Sequence, residues 1–274
     1  MKPAPFAYRR PGTLEDALEA LAGAPGAKVL AGGQSLVPLL SMRLAAPSLL
    51  VDLNGVPGLD GIRVGDDGVR VGALARHADV LASAEVAAAQ PLLPLALGHV
   101  AHATIRNRGT LVGSLVHADA AAEMPMVLRL LGGTLEVAST RGRRTVAADE
   151  LYVGPLESSL AHDEIAVEAF FPALPVGAGV GFEEVSRRQG DYALVGVGAV
   201  VHGEQVRAGF LSVCDVPTVV DLSGVADDDL GDRALEHLDP AADVHASADY
   251  RAHLVRVLTA RVVEAARAGA RVAP

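Results

Sequence analysis

The stretch from residue 27 to residue 53 places the strongest constraint on how this chain folds. AKVL is typical of a short buried strand, a glycine pair follows, VPLLSMRLAAP has the apolar pattern of a helix, and LLVDL is typical of a second short strand. Pro38 falls in the first turn of that helix, where the N–H that proline lacks has no intrahelical partner. Strand, turn, helix and strand within so few residues predict a small βαβ unit.

The glycine pair Gly32-Gly33 lies between the first strand and the helix and is followed by Gln34 and Ser35. Such a turn exposes backbone N–H groups at the start of a helix, which suits a phosphate or a diphosphate. Glycine permits a close approach because it has no Cβ. A plain tight turn explains the same residues equally simply, so this motif alone does not establish a binding site.

A second polar and glycine-rich segment begins about 75 residues after the glycine pair. It contains Asn107, Gly109, Thr110, Gly113 and Ser114. We interpret it as another loop that exposes its backbone, drawn inward by the apolar helices on both sides. Two such loops in one chain favour a long ligand with a diphosphate that is held from both sides. The alternative is that the two loops are unrelated.

Helix and strand patterns alternate through the rest of the chain. TLEDALEALA predicts a helix with Thr13 as its N-cap, and two alternating runs around Asp67-Gly68 predict a hairpin. A connector rich in proline and glycine at 172–181 marks a boundary, and a long helix is predicted over 248–268. A length of 274 residues favours two or three subdomains.

Composition excludes several classes of protein. The formal net charge of -10 argues against a nucleic-acid partner, and the single cysteine, Cys214, cannot hold an iron–sulfur cluster. No apolar run is long enough for a membrane span, and the first residues lack the pattern of a signal peptide, so we expect a cytoplasmic protein. Because one cysteine cannot hold an iron–sulfur cluster, any redox chemistry in this chain must use an organic cofactor.

Other polar residues allow two interpretations each. His99, His102 and His117 suggest a metal, but Asp119 and Glu123 are not at a recognised metal spacing, so we expect none. Two neighbouring arginines, Arg187-Arg188, fit either an anion contact or a solvated turn. Cys214 is typical of a buried core thiol, and glycines 196 and 198 are typical of a closely packed strand.

Two stretches together resemble a known family. AGGQSLVPLL and ATIRNRGTLVGSLVHADAAAEMP are similar to the two flavin-binding signatures in the FAD subunits of molybdenum hydroxylases. That family includes the medium subunit of aerobic carbon monoxide dehydrogenase and the FAD domain of xanthine dehydrogenase. The resemblance continues in VGALARHADV, in SRRQGDYALVGVGAVV and in the terminal SADYRAHLVRVLTARVVEAA, so it spans nearly the whole chain in order.

The resemblance implies an α+β fold in which two subdomains of the PCMH type enclose non-covalently bound FAD, followed by a C-terminal α+β domain with a small antiparallel sheet and helices. The implied ranges are 1–55 for the first FAD-binding subdomain, 56–172 for the second and 178–274 for the C-terminal domain.

The resemblance also implies which residues contact FAD. The first loop would wrap the diphosphate, and the second would hold it from the other side. Glu123 falls where the family has an acidic residue toward the ribose and adenine, with Asp119 assisting, and Val100, Ala166 and Tyr192 would lie near the flavin ring. The loop residues are Val29, Leu30, Ala31, Gly32, Gly33, Gln34, Ser35 and Leu36 in the first, and Thr110, Leu111, Val112, Gly113 and Ser114 in the second.

The sequence departs from the family at three positions. Val112 replaces a glycine that is common in the family, and a valine there would narrow the diphosphate loop. Glu183 stands where xanthine dehydrogenases have a lysine, so that contact to FAD is missing. Ala120 replaces a frequent proline.

The function implied is electron transfer within a larger enzyme. Molybdopterin would be bound by a large partner subunit and a [2Fe-2S] cluster by a small one, and FAD in this chain would pass electrons to NAD, a quinone or oxygen. Because the cofactor carries the redox chemistry, we assign no catalytic acid or base. The alternative is a stand-alone FAD-dependent oxidoreductase that uses the same fold.

Overall fold

The βαβ unit predicted from residues 27–53 is present in the computed structural model of the protein, which describes residues 2–272. The strand at 28–30 pairs in parallel with the strand at 49–52, with Leu30 opposite Asp52, and the strand at 7–9 pairs with the other edge of the strand at 49–52. Thr13 caps the first helix as predicted, because its Oγ1 accepts a hydrogen bond from the Asp16 N–H at 3.1 Å. The elements of this region are β1 (Ala7–Arg9), α1 (Leu14–Ala22), β2 (Lys28–Leu30), α2 (Leu36–Met42) and β3 (Leu49–Asp52).

The prediction that β2 is buried was wrong. Lys28 is exposed, and the other two residues of the strand are only half-buried. The reason is the strand order β1-β3-β2, which places β2 at an edge and β3 in the centre. Each residue of β3 is accordingly buried.

The second region contains an antiparallel sheet in the order β4-β5-β10-β6-β7, with short helices between its strands in the chain. The predicted hairpin at Asp67-Gly68 is confirmed, since Gly65 pairs with Gly68. The elements are β4 (Ile62–Gly65), β5 (Gly68–Gly72), α3 (His77–Ala82), α4 (Ala84–Ala89), α5 (Leu92–Leu97), α6 (Ala103–Arg106), α7 (Leu111–His117), α8 (Glu123–Leu131), β6 (Thr134–Ser139), β7 (Gly142–Ala147), α9 (Ala148–Leu151), β8 (Tyr152–Gly154), β9 (Glu157–Ser158) and β10 (Ile165–Pro172).

The third region is an antiparallel sheet in the order β11-β12-β13-β14, covered on one face by the long final helix. Glycine permits that packing, because a Cβ on Gly181 would lie 2.5 Å from the carbonyl oxygen of Val262. The elements are β11 (Gly179–Ser186), β12 (Ala193–His202), β13 (Gln205–Leu211), β14 (Thr218–Asp221), α10 (Leu230–Leu235) and α11 (Ala248–Val272).

Helix α8 covers the other face of this third sheet and so joins it to the second region. A Cβ on Gly198 would lie 3.0 Å from Cε of Met126, and one on Gly209 would lie 2.5 Å from its Sδ. The prediction of a closely packed strand at Gly196 and Gly198 is therefore confirmed. The expectation of a buried thiol at Cys214 was wrong, because the residue is only half-buried and packs against the outside of the second core.

Two hydrophobic cores hold these layers. One core joins α1 and β3 to the helices and sheet of the second region, and the other lies between the third sheet, α10 and α11. This mixture of helices and separate sheets is the predicted α+β fold. The three-stranded sheet lies within the range 1–55, the five-stranded sheet and the two-stranded sheet β8-β9 lie within 56–172, and the four-stranded sheet lies within 178–274. Residues 1, 273 and 274 of these ranges lie outside the described part. Among the described residues, no helix combines the length and apolar character that a membrane crossing needs.

Candidate cofactor-binding site

The two glycine-rich segments are in direct backbone contact. Gly32 is buried, and a Cβ added to it would lie 2.5 Å from the Arg108 carbonyl oxygen, 2.8 Å from the Gly109 Cα and 2.9 Å from the Thr110 nitrogen. No side chain fits in that space, because real Cβ atoms essentially never come so close to backbone. The two segments, distant in the sequence, are therefore neighbours in the folded chain.

The first loop turns sharply between β2 and α2. Gly33 has a φ of +74°, a left-handed conformation that glycine adopts readily, and its carbonyl oxygen accepts a hydrogen bond from the Val37 N–H at 3.0 Å. The Gln34 side chain folds back and donates from Nε2 to the Gly32 carbonyl oxygen at 3.2 Å. The loop is thus fixed by its own hydrogen bonds, with Ala31 and Gly33 through Leu36 half-buried.

The second segment becomes helical earlier than the sequence pattern indicated. Thr110 is the N-cap of α7, and its Oγ1 accepts a hydrogen bond from the Gly113 N–H at 3.2 Å. Gly113 and Ser114 therefore belong to the first helical turn, and the prediction that they lie in a loop was wrong. The apolar run that starts at Leu111 supplies the buried face that makes this turn helical.

Val112 does not narrow the loop, as its replacement of a family glycine had suggested. Its side chain is 2% exposed and is part of the first hydrophobic core, on the buried face of α7. Because successive side chains of a helix point in different directions, Val112 points into the core and away from the loop.

The start of α7 is held by a short antiparallel bridge between Arg76 and Thr110. The His77 N–H donates to the Gly109 carbonyl oxygen at 3.0 Å, and the Leu111 N–H donates to the Ala75 carbonyl oxygen at 3.2 Å. A Cβ on Gly109 would lie 2.9 Å from the His77 ring, so glycine is needed here too. His77 itself is buried, which lowers its pKa to about 4 and leaves it neutral.

Two side chains that we did not predict from the sequence connect the loops. Asn54 donates from Nδ2 to the Ala31 carbonyl oxygen at 2.9 Å. Arg76 donates from one terminal nitrogen to Asn54 Oδ1 at 2.6 Å and from the other to the Arg108 carbonyl oxygen at 2.7 Å. A continuous path of side-chain hydrogen bonds therefore runs from the first loop to the second.

A group of acidic side chains lies on a different part of the site. Burial raises the pKa of Glu123, at the start of α8, to about 8, and the nearby carboxylate of Glu184 contributes to the shift. The side chain of Glu184 is 5% exposed, its Oε1 lies 3.5 Å from His99 Nδ1, and its Oε2 is buried without a hydrogen-bond partner among the described residues. The contact with Glu184 raises the pKa of His99.

Tyr192 and Asp119 lie beside this acidic group. The Tyr192 hydroxyl is directed at Asp119 while 62% of the residue remains exposed. Partial burial of the hydroxyl, then the charge of Asp119 and its hydrogen bond, then the charge of Glu123 raise the pKa of Tyr192 to about 12. Asp119 also accepts a hydrogen bond from the Ala121 N–H at 2.9 Å, which fixes its orientation.

Val100 lies in a strained turn after α5. Its carbonyl oxygen and that of Ala101 accept hydrogen bonds from the Arg106 guanidinium at 2.8 and 2.9 Å, and Ala101 has a φ of +43°. The His102 ring lies against Gly190, where a Cβ would come within 2.6 Å of it, so this turn packs on the loop that precedes Tyr192. Ala166, by contrast, is 7% exposed on β10, a strand that packs against α7.

Neither the histidines nor the paired arginines form a separate site. Within residues 2–272 no group of histidine, cysteine and acidic side chains could hold a metal ion. Arg187 and Arg188 are exposed on the turn after β11, where Arg187 pairs with Asp191 at 3.5 Å. A solvated turn explains that pair.

Sequence reasoning missed Asn54, Arg76, Arg106 and Glu184 and interpreted His99 only as a possible metal ligand. The available signals were VGALARHADV, which contains Arg76, and ATIRNRG, which contains Arg106, since both already belonged to the resemblance. Asn54 directly follows a predicted strand, a position where a polar residue is common for many reasons.

Comparison with known proteins identifies the fold that carries this site. A family model described as "FAD binding domain in molybdopterin dehydrogenase" matches residues 4–174.

The chain belongs to this family.

A relative along its full length is the nicotine 6-hydroxylase medium subunit of Paenarthrobacter nicotinovorans, 41% identical over 286 residues, with 99% of this chain and 100% of that protein covered. The FAD-binding family also contains solved structures with this fold. A chain of carbon monoxide dehydrogenase from Hydrogenophaga pseudoflava matches with a TM-score of 0.92 and 31% identity, over 98% of this chain and 99% of that one. A chain of quinoline 2-oxidoreductase from Pseudomonas putida 86 matches with a TM-score of 0.91 and 37% identity, over 98% and 99%.

Proposed function

We propose that this chain binds FAD non-covalently with the diphosphate at the junction of the two loops. The observation that carries the proposal is the backbone contact of Gly32 with residues 108–110, because it turns two glycine-rich segments into one cradle. Family membership supplies the identity of the ligand. The proposed contacts are residues 29–36 from the first loop and residues 110–114 from the second.

The flavin ring is assigned to the end of the site that contains Tyr192, Val100 and Ala166. Tyr192 offers an exposed ring whose hydroxyl is held by Asp119, and such a flat face suits a flavin. Following the resemblance, we place the Glu123 carboxyl toward the ribose and adenine of FAD, with Asp119 assisting. The buried and unpartnered Oε2 of Glu184 at this end fits a ligand that brings hydrogen-bond donors.

FAD, when bound, supplies the electron and hydride chemistry, and the protein supplies position and electrostatics. The loops orient the cofactor through backbone contacts. Glu123, with a pKa of about 8, carries a proton on its carboxyl at neutral pH and can donate a hydrogen bond there. Tyr192, with its pKa raised to about 12, also stays protonated at neutral pH and presents a neutral phenol.

We further propose that this chain is the electron-transfer subunit of a larger cytoplasmic enzyme. The relative that it matches end to end is named a medium subunit. The partners are a small [2Fe-2S] subunit that delivers electrons and a large molybdopterin subunit that oxidises the substrate, and NAD, a quinone or oxygen accepts the electrons. In this proposal 1–55 and 56–172 enclose the cofactor and 178–274 forms the C-terminal domain.

The experiment is purification of the chain alone and with its candidate partner subunits, followed by a visible spectrum and release of the chromophore by heat. We expect flavin bands, one FAD per chain, and reduction of that flavin by substrate only when both partners are present. A chain that stays colourless with FAD and both partners contradicts the cofactor assignment. Turnover of a substrate by the chain alone contradicts the subunit assignment and supports a stand-alone flavoenzyme.

A further inference from the structure

Two side chains, Asn54 and Arg76, join the first loop to the second segment behind the proposed cradle. Asn54 follows β3 and donates to Ala31 in the first loop at 2.9 Å. Arg76 precedes α3, and its guanidinium spans from Asn54 Oδ1 to the carbonyl of Arg108 in the second segment. Neither residue is among those that the sequence pattern or the family resemblance assigned to the cofactor.

The main chain around Asn54 is itself anchored. The Asp52 carboxylate accepts hydrogen bonds from the Asn54 N–H at 2.9 Å and from Nδ2 at 2.5 Å, and Tyr8 donates its hydroxyl to the other oxygen of Asp52 at 2.5 Å. Arg10 donates to the Asn54 carbonyl oxygen at 3.1 Å. Asn54 is therefore hydrogen-bonded to Asp52, Ala31 and Arg10, which fixes the side-chain amide that accepts the hydrogen bond from Arg76.

Arg76 brings a positive charge to the junction. Both of its hydrogen bonds go to neutral oxygens, and within residues 2–272 no carboxylate is bonded to its guanidinium. The carboxylates of Asp79, Asp52 and Asp60 act on it from a distance, and partial burial together with the neighbouring Arg108 lowers its pKa without removing its charge at neutral pH. The charge of Arg76 at this junction is opposite in sign to the net charge of the chain, which is -10.

We propose that Asn54 and Arg76 fix the two loops against each other before the cofactor arrives, and that the charge of Arg76 attracts the cofactor diphosphate. The inference rests on the proposed function, because it concerns the same cradle. Its geometric basis is that the Arg108 carbonyl oxygen bonded to Arg76 is also the atom nearest to the place that a Cβ on Gly32 would occupy. The Arg76 guanidinium is therefore hydrogen-bonded to the peptide group at which the two loops meet.

Each residue has a separate role in this proposal. The hydrogen bonds of Asn54 and Arg76 reduce the ordering that binding would otherwise require of two loops, which improves affinity. The charge of Arg76 adds an attraction to the diphosphate that weakens as salt increases. A residue with only a structural role would not change the salt dependence of FAD affinity.

The test uses the full chain and FAD, with the dissociation constant measured at low and at high ionic strength and the unfolding temperature measured without FAD. The variants are Arg76→Gln, Arg76→Lys and Asn54→Ala. Arg63→Gln is the control, because Arg63 is an exposed arginine on β4 that pairs with Glu168.

Arg76→Gln is expected to weaken FAD binding by about tenfold or more, the typical effect of losing a charged hydrogen-bond donor, and to reduce the salt dependence. Arg76→Lys keeps the salt dependence but loses affinity, because a lysine cannot span both acceptors. Asn54→Ala weakens binding at both ionic strengths equally. If Arg76→Gln does not fold, the other two variants decide the question.

The inference is overturned if Arg76→Gln binds FAD with the affinity and salt dependence of the wild-type chain, or if Arg76→Lys loses the salt dependence. Failure of the wild-type chain itself to bind FAD is a different result, since it contradicts the proposed function instead.

Discussion

The Cα of Gly32 lies so near to Arg108 that a Cβ on the glycine would be 2.5 Å from the carbonyl oxygen of the arginine. The two residues are far apart in the chain, since Gly32 lies in the loop between β2 and α2 and Arg108 lies in the turn between α6 and α7. Their contact explains why a glycine pair interrupts an apolar stretch after β2. We therefore expect the affinity for FAD to be sensitive to a single methyl group at Gly32.

Gly32→Ala is predicted to weaken FAD binding without unfolding the protein. The added Cβ collides with backbone that cannot rotate away, so the loops must separate, at a cost of about 1–3 kcal/mol as in other overpacked sites. Fluorescence titration with FAD measures the effect. Gly12→Ala is the matched control, because nothing lies within 4 Å of a Cβ at that glycine. Equal affinities for the two variants would show that the loop contact has no role in binding.

Thr110→Ala is predicted to lower the free energy of unfolding by about 1 kcal/mol, the typical value of an N-cap. The alanine leaves the Gly113 N–H without the oxygen that accepts its hydrogen bond at 3.2 Å. Thr110→Ser keeps that oxygen and should recover most of the loss. Urea unfolding of both variants checks the prediction, and a serine variant as unstable as the alanine variant would show that the cap does not matter.

The pH dependence of stability is predicted to change in Glu123→Gln. The folded-state pKa of Glu123 is raised from 4.5 to about 8, so the folded protein keeps a proton that the unfolded chain releases. Stability from this group is complete below 4.5 and is lost as the pH rises toward 8. Relative to the glutamine variant, the wild-type chain should therefore become less stable across that interval.

Four ionisable groups face Glu123 and stay unchanged in this comparison: Glu184, His99, Asp119 and Tyr192. His77 has the opposite effect, since its lowered pKa costs stability as the pH falls from 6.5 to about 4, but both chains contain it. Glu136→Gln serves as the control, because Glu136 is a partly exposed partner of Arg143. Parallel stability curves for wild type and Glu123→Gln would disprove the raised pKa.

Arg251→Met is predicted to destabilise the protein by about 2–3 kcal/mol, because three oxygens lose a charged donor. The guanidinium donates to the carbonyl oxygens of Leu194 and Ser212 at 2.5 and 2.9 Å and to the Asp243 carboxylate at 2.7 Å, and the residue is only 6% exposed.

Arg256→Gln on the same helix provides the comparison. Arg256 pairs with Asp232 at the surface, where such ion pairs contribute about 0–1 kcal/mol. Calorimetry of both variants should show a clear drop in the unfolding temperature for Arg251→Met alone. Similar unfolding temperatures would mean that the buried arginine contributes no more than the exposed one.

Local sequence patterns predicted the elements well where one short stretch contains all the information. The cap at Thr13, the hairpin at Asp67-Gly68 and the βαβ unit depend on neighbours in the chain, and each is confirmed. The burial of β2 was wrong because strand order, which decides edge and centre, depends on distant pairing.

The candidate site shows the same division. The two loops could be found from their glycines, but their direct contact is a property of the folded chain. Asn54 and Arg76 carry no motif of their own, and they become informative only because β3 and the segment before α3 place them behind both loops. The burial of Val112 likewise follows from where α7 begins, which Thr110 determines.

The most direct measurement is hydrogen–deuterium exchange of the chain with and without FAD. The proposed cradle predicts one FAD per chain and slower exchange of backbone amides in both 31–36 and 108–114, with the two segments protected at the same FAD concentration. Stoichiometric binding that leaves either segment unprotected would contradict the account, because the diphosphate would then lie elsewhere.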